Sequence, residues 1–368
     1  MVTDVSDIGD PEAGRASARS GGTSPEGPRR GLVLGGGGML GAAWTVGALC
    51  AVAEATGWDP GGADVVLGTS AGAILGTLLA SGVGPDELRD HQQGRPIASG
   101  PLVGVDFDYD TAAGGALPPR PRPGIGSPGL LRQTFLHPRD YPFLTVVSAF
   151  VPPGRGSVAP IGDLVRALVP AGDGWSERPG LRLVAVDYET GRRVVFGDPD
   201  SPPAGVADAV MASCAIPGWF APVAVDGHRY IDGGAWSATN ADLLAGRDLD
   251  EVFVLAPMAV RIRPVGDTGS LSGGRSAAQR RREGDRPRGV LAHLVSRYRR
   301  AVTRQMLREA RLLRAGGTRV RLLAPTLDDL AAMGPNMMDP ARRPEVLETA
   351  LRTCGAALAG VRAGGRAG

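Results

Sequence analysis

DVVLGTSAGAILG, residues 64–76, sets a serine between two glycines where an apolar run meets a small-residue helix pattern. ADVVLG (63–68) reads as a buried strand and AGAILGTLLASG (71–82) as the helix after it. A strand turning into a helix over Gly68, Thr69, Ser70, Ala71 and Gly72 is the setting of a nucleophile elbow, which holds the hydroxyl clear of its own backbone. The same corner puts that oxygen beside unpaired helix amides, where negative charge is favoured. With 18 serines and 56 glycines in 368 residues, chance gives roughly 0.4 such pentapeptides. Placement therefore carries more weight than the pattern, and a serine serving only as a helix N-cap would leave the same local sequence.

Outward from this stretch the alternation repeats. GLVLGGGG, from residue 31, is a short strand running into glycine, and AAWTVGALCAVAEA (42–55) has helical length. Strand, glycine, helix, twice over, predicts an α/β chain with a parallel sheet and crossover helices. Further strands are expected at 181–187, 192–196, 221–225, 228–232, 251–257 and 319–325. Helices are expected near 160–169, 206–215 and 290–315, with one or two more closing the chain by about 360. Residues 1–30 read as a disordered tail, 95–158 as a Pro- and Gly-rich loop insertion or cap, and 261–289 as a flexible basic linker.

Composition narrows the function classes. A net charge of +2 gives no reason to expect a nucleic-acid partner, and all 40 basic residues are Arg, which reads as compositional bias. Cys50, Cys214 and Cys354 are far apart, as are His91, His137, His228 and His293, so neither a disulfide framework nor a metal site is expected. The N-terminal stretch lacks the apolar core of a secretory signal, and no unbroken run of about 18 apolar residues predicts a spanning helix. The expected location is cytoplasmic, with any membrane met from its surface.

Two further motifs bear on chemistry. GGGGMLG (35–41) satisfies G-x-G-x-x-G through Gly36, Gly38 and Gly41, but DVVLG does not end in the acid that would hold a ribose. A glycine run also lets bare amides face one point, as an oxyanion hole requires, or it makes a tight strand–helix turn. YIDGGAWSATN (230–240) sets Asp232 before Gly233 and Gly234, as a catalytic acid or as a common turn. After Asp232 only His293 remains, beside the basic linker, so a Ser-His-Asp order finds no suitable histidine. A serine activated directly by a carboxylate needs none.

Taken together, the glycine loop, G-x-S-x-G, Asp-Gly-Gly and the segment ASCAIPGWFAPVAVDGHRYIDGG (212–234) resemble the bacterial patatin-like phospholipase family. The resemblance implies a three-layer fold, a mostly parallel central sheet flanked by helices, with a catalytic domain over 31–245 and a helical C-terminal extension over 246–368. It implies Ser70 as nucleophile and Asp232 as its partner, with an oxyanion hole from the amides of Gly36, Gly37, Gly38 and Met39. Gly41, Gly68, Gly72, Gly233 and Gly234 complete the motifs. The implied substrate is a phospholipid or other lipid ester, with no cofactor and no metal. A catalytically weak lipid- or acyl-binding regulator of the same fold is the alternative. One departure is Leu40, where the family usually carries Arg or Lys. Phe107, Tyr109, Phe135, Tyr141 and Phe143 either wall an acyl channel or hold the insertion on the core. The apolar stripe of 290–315 (Leu291, Val295, Tyr298, Val302, Met306, Leu313), with five arginines largely off it, either docks on an anionic bilayer or packs on the domain.

Overall fold

A computed structural model describes residues 27–108, 124–169, 174–175, 177–261 and 290–364. Tyr109, nearly all of the basic linker and most of the expected tail lie outside these residues. The expected tail overlaps the first strand, β1 (Arg30–Leu34), which is followed by β2 (Val65–Thr69), β3 (Leu181–Asp187) and β4 (Arg193–Phe196). Then come β5 (Val223–Val225), β6 (His228–Asp232), β7 (Glu251–Leu255) and β8 (Arg319–Leu323). They form one sheet in the order β5-β6-β3-β2-β1-β7-β8, with β4 also on β3. The run β3-β2-β1-β7-β8 is parallel, while β4, β5 and β6 join antiparallel.

Side chains alternate across this sheet as a period of two requires. Leu32, Leu34, Val66, Phe253 and Leu255 face one layer, and Val33, Val65, Leu67, Val252 and Val254 face the other. Both faces are covered, so the central strands are apolar throughout. The first layer contains α1 (Gly38–Thr56), α2 (Ala71–Ala80), α3 (Pro85–Gln92), α6 (Ala159–Leu168) and α7 (Val206–Ser213). The second layer is built on α8 (Val290–Ala315). A short helix, α9 (Leu327–Met333), and a 22-residue one, α10 (Arg343–Gly364), close the chain, and α10 lies on α1 so tightly that a Cβ on Gly47 would stand 2.7 Å from the Ala350 side chain.

Three expectations change, and one open alternative narrows. The 95–158 segment is not all loop: it contains α4 (Pro128–Leu136), capped by the Ser127 hydroxyl at the Leu130 amide, and α5 (Phe143–Phe150). Its high Pro content hid them, because proline at the first turn starts a helix as readily as it breaks one. Residues 246–368 are not an appendage, since β7 pairs with β1 along its whole length and β8 extends the same sheet. The helix α1 begins inside the glycine run, and its 19 residues are long and apolar enough to cross a membrane. It is a core helix here, with Leu40, Ala43, Trp44, Val46 and Leu49 fully buried.

The open alternative concerns α8. Val302, Met306, Ala310 and Leu313 are buried against the sheet. This part of its apolar stripe is therefore core and unavailable to a bilayer, while the Leu291 side chain lies outside those described. Arg297, Arg300, Arg304, Arg308 and Arg311 remain on the exposed side.

Candidate active site

The elbow is built by two close approaches that only glycine permits. A Cβ on Gly72 would lie 1.9 Å from the Leu34 carbonyl oxygen, and one on Gly68 would lie 2.6 Å from both Gly72 O and Ala73 Cα. The start of α2 can therefore press against the ends of β1 and β2. Ser70 takes φ 55°, ψ −124°, a strained conformation for a residue with a side chain. Ser213 Oγ accepts from the Ser70 amide at 2.9 Å and itself donates to Val184 O at 2.6 Å, while the Cys214 thiol contacts Ser70 O at 3.3 Å. The Ser70 hydroxyl makes no capping bond to the helix, so the N-cap alternative does not describe it.

Sheet register brings Asp232 to the same place. Across β3, Thr69 pairs with Val184 while Asp232 pairs with the next residue, Ala185. A Cβ on Gly233 would lie 2.4 Å from Val184 O and 3.2 Å from the Thr69 methyl, so glycine is required for Asp232 to come this close. Asp232 is 4% exposed. Burial raises its carboxyl pKa from 3.8 to about 6, against the lowering effect of interactions with the Ser70 hydroxyl and the Gly234 amide. The Gly234 N–H donates to Oδ1 at 2.6 Å, so the Asp-Gly-Gly sequence is both a turn and the support of a buried carboxylate.

Beside Ser70 runs the glycine loop. The Gly36 amide is already bonded to Ala238 O at 2.8 Å, which removes it from the expected oxyanion donors. Its glycine character serves proximity, because a Cβ there would sit 3.1 Å from Ser70 Cβ. The amides of Gly37, Gly38 and Met39 are at the unpaired start of α1, and among the described residues no backbone acceptor takes them. The Ala71 amide, first in α2, is equally free and escaped the sequence reading. Gly38 has φ 60°, and a Cβ on it would meet Met338 Sδ at 2.7 Å. Gly41 donates to Gly37 O at 2.9 Å and leaves room for Pro257. Leu40 is fully buried in the core, as an apolar residue there should be.

The far end of the chain reinforces this loop. Met337 O accepts from the Leu40 amide at 3.0 Å. Arg299, 4% exposed, donates to Pro257 O at 3.0 Å and points at Met337 Sδ from 3.1 Å. Burial lowers its pKa to about 10, so it stays charged at neutral pH. Tyr298 beside it is pushed up to about 12, by burial first and then by the Asp232 charge. Glu309 accepts from Ser237 Oγ (2.6 Å), Thr239 Oγ1 (2.5 Å) and the Ala241 amide (2.9 Å), and burial raises its pKa. Neither residue has a local sequence signature.

Ser70 opens into an apolar cleft of about 90 Å³, walled by Ile74, Leu75 and Leu78 of α2, Leu88 of α3, and Ile161 and Leu164 of α6. Among the described residues that line it there is no histidine. Of the aromatics expected to wall a channel, Phe107 lines it. Phe135 is 86% exposed, and Tyr141 bonds to Thr190 O and stands edge-on to Trp236. Nothing is described of the Phe143 side chain. Among the described residues no three His, Cys, Asp or Glu side chains converge as metal ligands would.

The sequence profile of the patatin-like phospholipase family matches residues 32–95 and 166–245. The chain carries a patatin-like phospholipase domain over these residues. Both matched segments are needed for the site, since the first carries the glycine loop and Ser70 and the second carries Ser213 and Asp232. The unmatched interval between them contains α4 and α5. VipD from Legionella pneumophila is a structural relative at 14% identity and a TM-score of 0.39, with 90% of this chain and 67% of that one covered. The type III effector protein ExoU is another, at 15% identity and a TM-score of 0.33, covering 91% and 53%. The chain thus spans about two thirds and about half of their lengths.

Proposed function

We propose that this chain is a serine acyl-ester hydrolase acting on phospholipids or other lipid esters. The observation that carries the reading is the meeting of a strained, uncapped Ser70 with a buried Asp232 carboxyl at the mouth of an apolar cleft. Asp232 takes the proton from Ser70 Oγ as that oxygen attacks the ester carbonyl. The tetrahedral oxyanion sits against the free amides of Gly37, Gly38, Met39 and Ala71, each well-placed donor contributing on the order of 3 kcal/mol. Collapse expels the alcohol, which takes up the proton, and leaves an acyl-serine. Water, deprotonated by the same carboxylate, attacks the acyl-serine and regenerates Ser70.

Burial supports Asp232 in this role. A carboxylate at its ordinary pKa is a weak base toward a hydroxyl, and a value near 6 strengthens it while leaving it ionised at neutral pH. Contact with an anionic lipid surface, if made through α8, is electrostatic and uses its exposed arginines; reversing their charge then weakens vesicle binding without changing turnover of a soluble ester. The test of the function is turnover of a p-nitrophenyl ester by wild type, Ser70→Ala and Asp232→Asn. Both variants are expected to be inactive and folded, and full activity in either refutes the pair.

A further inference from the structure

Among the described residues lining the apolar cleft, Ser70 and Gln92 are the only ones with a hydroxyl or carboxamide side chain. Gln92 ends α3 and is 5% exposed, and its Oε1 is buried with no hydrogen-bond partner. A buried acceptor left unpaired is costly, and native proteins seldom leave one without a purpose.

The position of Gln92 indicates which part of a bound molecule it meets. At the start of α3 the Cys50 thiol contacts Pro85 O at 3.3 Å. From there α3 runs seven residues, about 10 Å, to Gln92, whose carbonyl accepts from Arg343 at the start of α10. Six residues before Arg343, Met337 holds the Leu40 amide. Through Arg343, Gln92 is thus joined to the segment that holds the glycine loop. It also lines an adjoining polar recess of about 350 Å³, with His91, Arg95 and Asp106, and shares this double position with Phe107. The wall changes from apolar to polar at Gln92.

We infer that Gln92 is a specificity-determining residue for the alcohol part of the substrate. Its Oε1 accepts a hydrogen bond from a free hydroxyl next to the scissile ester, so the site favours monoacyl esters of a polyol over esters of plain alcohols. This rests on the esterase reading of Ser70. A site built to bond a hydroxyl discriminates strongly against an analogue lacking it, because the protein group is then left unpaired.

The experiment compares kcat/KM for glycerol mono-octanoate and propyl octanoate in wild type, Gln92→Leu and Gln92→Asn, with thermal unfolding as a check on each variant. Wild type is expected to favour the glycerol ester by about tenfold or more. Gln92→Leu keeps or raises the rate on the propyl ester and loses the preference, and Gln92→Asn, one methylene shorter, loses it as well. An unchanged ratio in either folded variant, or no preference in wild type, overturns the inference while leaving the esterase intact. Wild type that hydrolyses neither ester, like Ser70→Ala, refutes the esterase reading itself and this inference with it.

Discussion

The Asn240 carboxamide reaches the Thr69 hydroxyl over 3.1 Å and lies 3.4 Å from the Gly233 carbonyl. It thereby ties the residue before Ser70 to the residue after Asp232. Asn240 adopts φ 51°, is fully buried, and also donates to Ser237 O at 2.7 Å. Removing the carboxamide leaves several buried acceptors short of a donor and releases the two loops from each other. Asn240→Ala is expected to cost about 2 kcal/mol of stability and to lower kcat on a soluble ester more than it raises KM. Equal effects on a Gly62→Ala control, whose added methyl meets nothing within 4 Å, would exclude this role.

The pKa of Asp232 sets two pH dependences. As base it must be ionised, so kcat/KM should rise with pH on a limb centred near 6 and level off above it. For stability the direction is opposite. The folded value, about 6, exceeds the unfolded 3.8, so the native state holds the proton more tightly and loses stability as pH rises through this interval. The loss amounts to about 3 kcal/mol and is confined to the window between roughly 4 and 6. Asp232→Asn should abolish it, making the variant the more stable protein at pH 7 and the less active. Chemical denaturation at pH 4 and pH 7 measures the difference.

Glycine at 72 and at 355 should behave oppositely. The first leaves no space, with Leu34 O 1.9 Å from an added Cβ, whereas at the second an added Cβ meets nothing within 4 Å in the middle of α10. Gly72→Ala must push α2 off β1 and is expected to cost at least about 3 kcal/mol. Gly355→Ala should instead stabilise by about 0.5–1 kcal/mol through helix propensity. Thermal unfolding of the two variants decides it.

Arg299 touches both supports of the glycine loop, Pro257 and Met337, without lining the cleft. It is a positioning residue. Arg299→Met, similar in volume but unable to donate, should lower kcat by about tenfold while leaving KM for a short ester nearly unchanged. Arg299→Lys should recover part of the loss. A rise in KM with constant kcat would place its influence on binding instead.

The sequence made the repeated strand–glycine–helix alternation legible, because buried parallel strands read as unbroken apolar runs and Gly68 and Gly72 mark the elbow directly. The places of Ser70 and Asp232 in the fold were readable for the same reason: one follows the end of β2 and the other ends β6, each beside glycines. What stayed hidden depends on tertiary placement. Nothing local distinguishes Arg299, Glu309, Asn240 or Ser213 from other polar residues of a Gly- and Arg-rich chain. Their roles exist only once α8 and α7 are folded against the loops. Gly36 was misread because a glycine run does not reveal which of its amides is already bonded; here Ala238 O takes it. The α8 stripe was ambiguous in kind, since a core-facing helix and a bilayer-facing one share the same period.

Covalent capture of the nucleophile is the most direct measurement. Incubation with a fluorophosphonate, followed by mass analysis of the digested protein, should find the adduct on Ser70 alone. The rate of labelling should rise with pH around 6 and fall sharply in Asp232→Asn. An adduct on any other serine, or labelling of Ser70 at the same rate in Asp232→Asn, would contradict the Ser70–Asp232 pair.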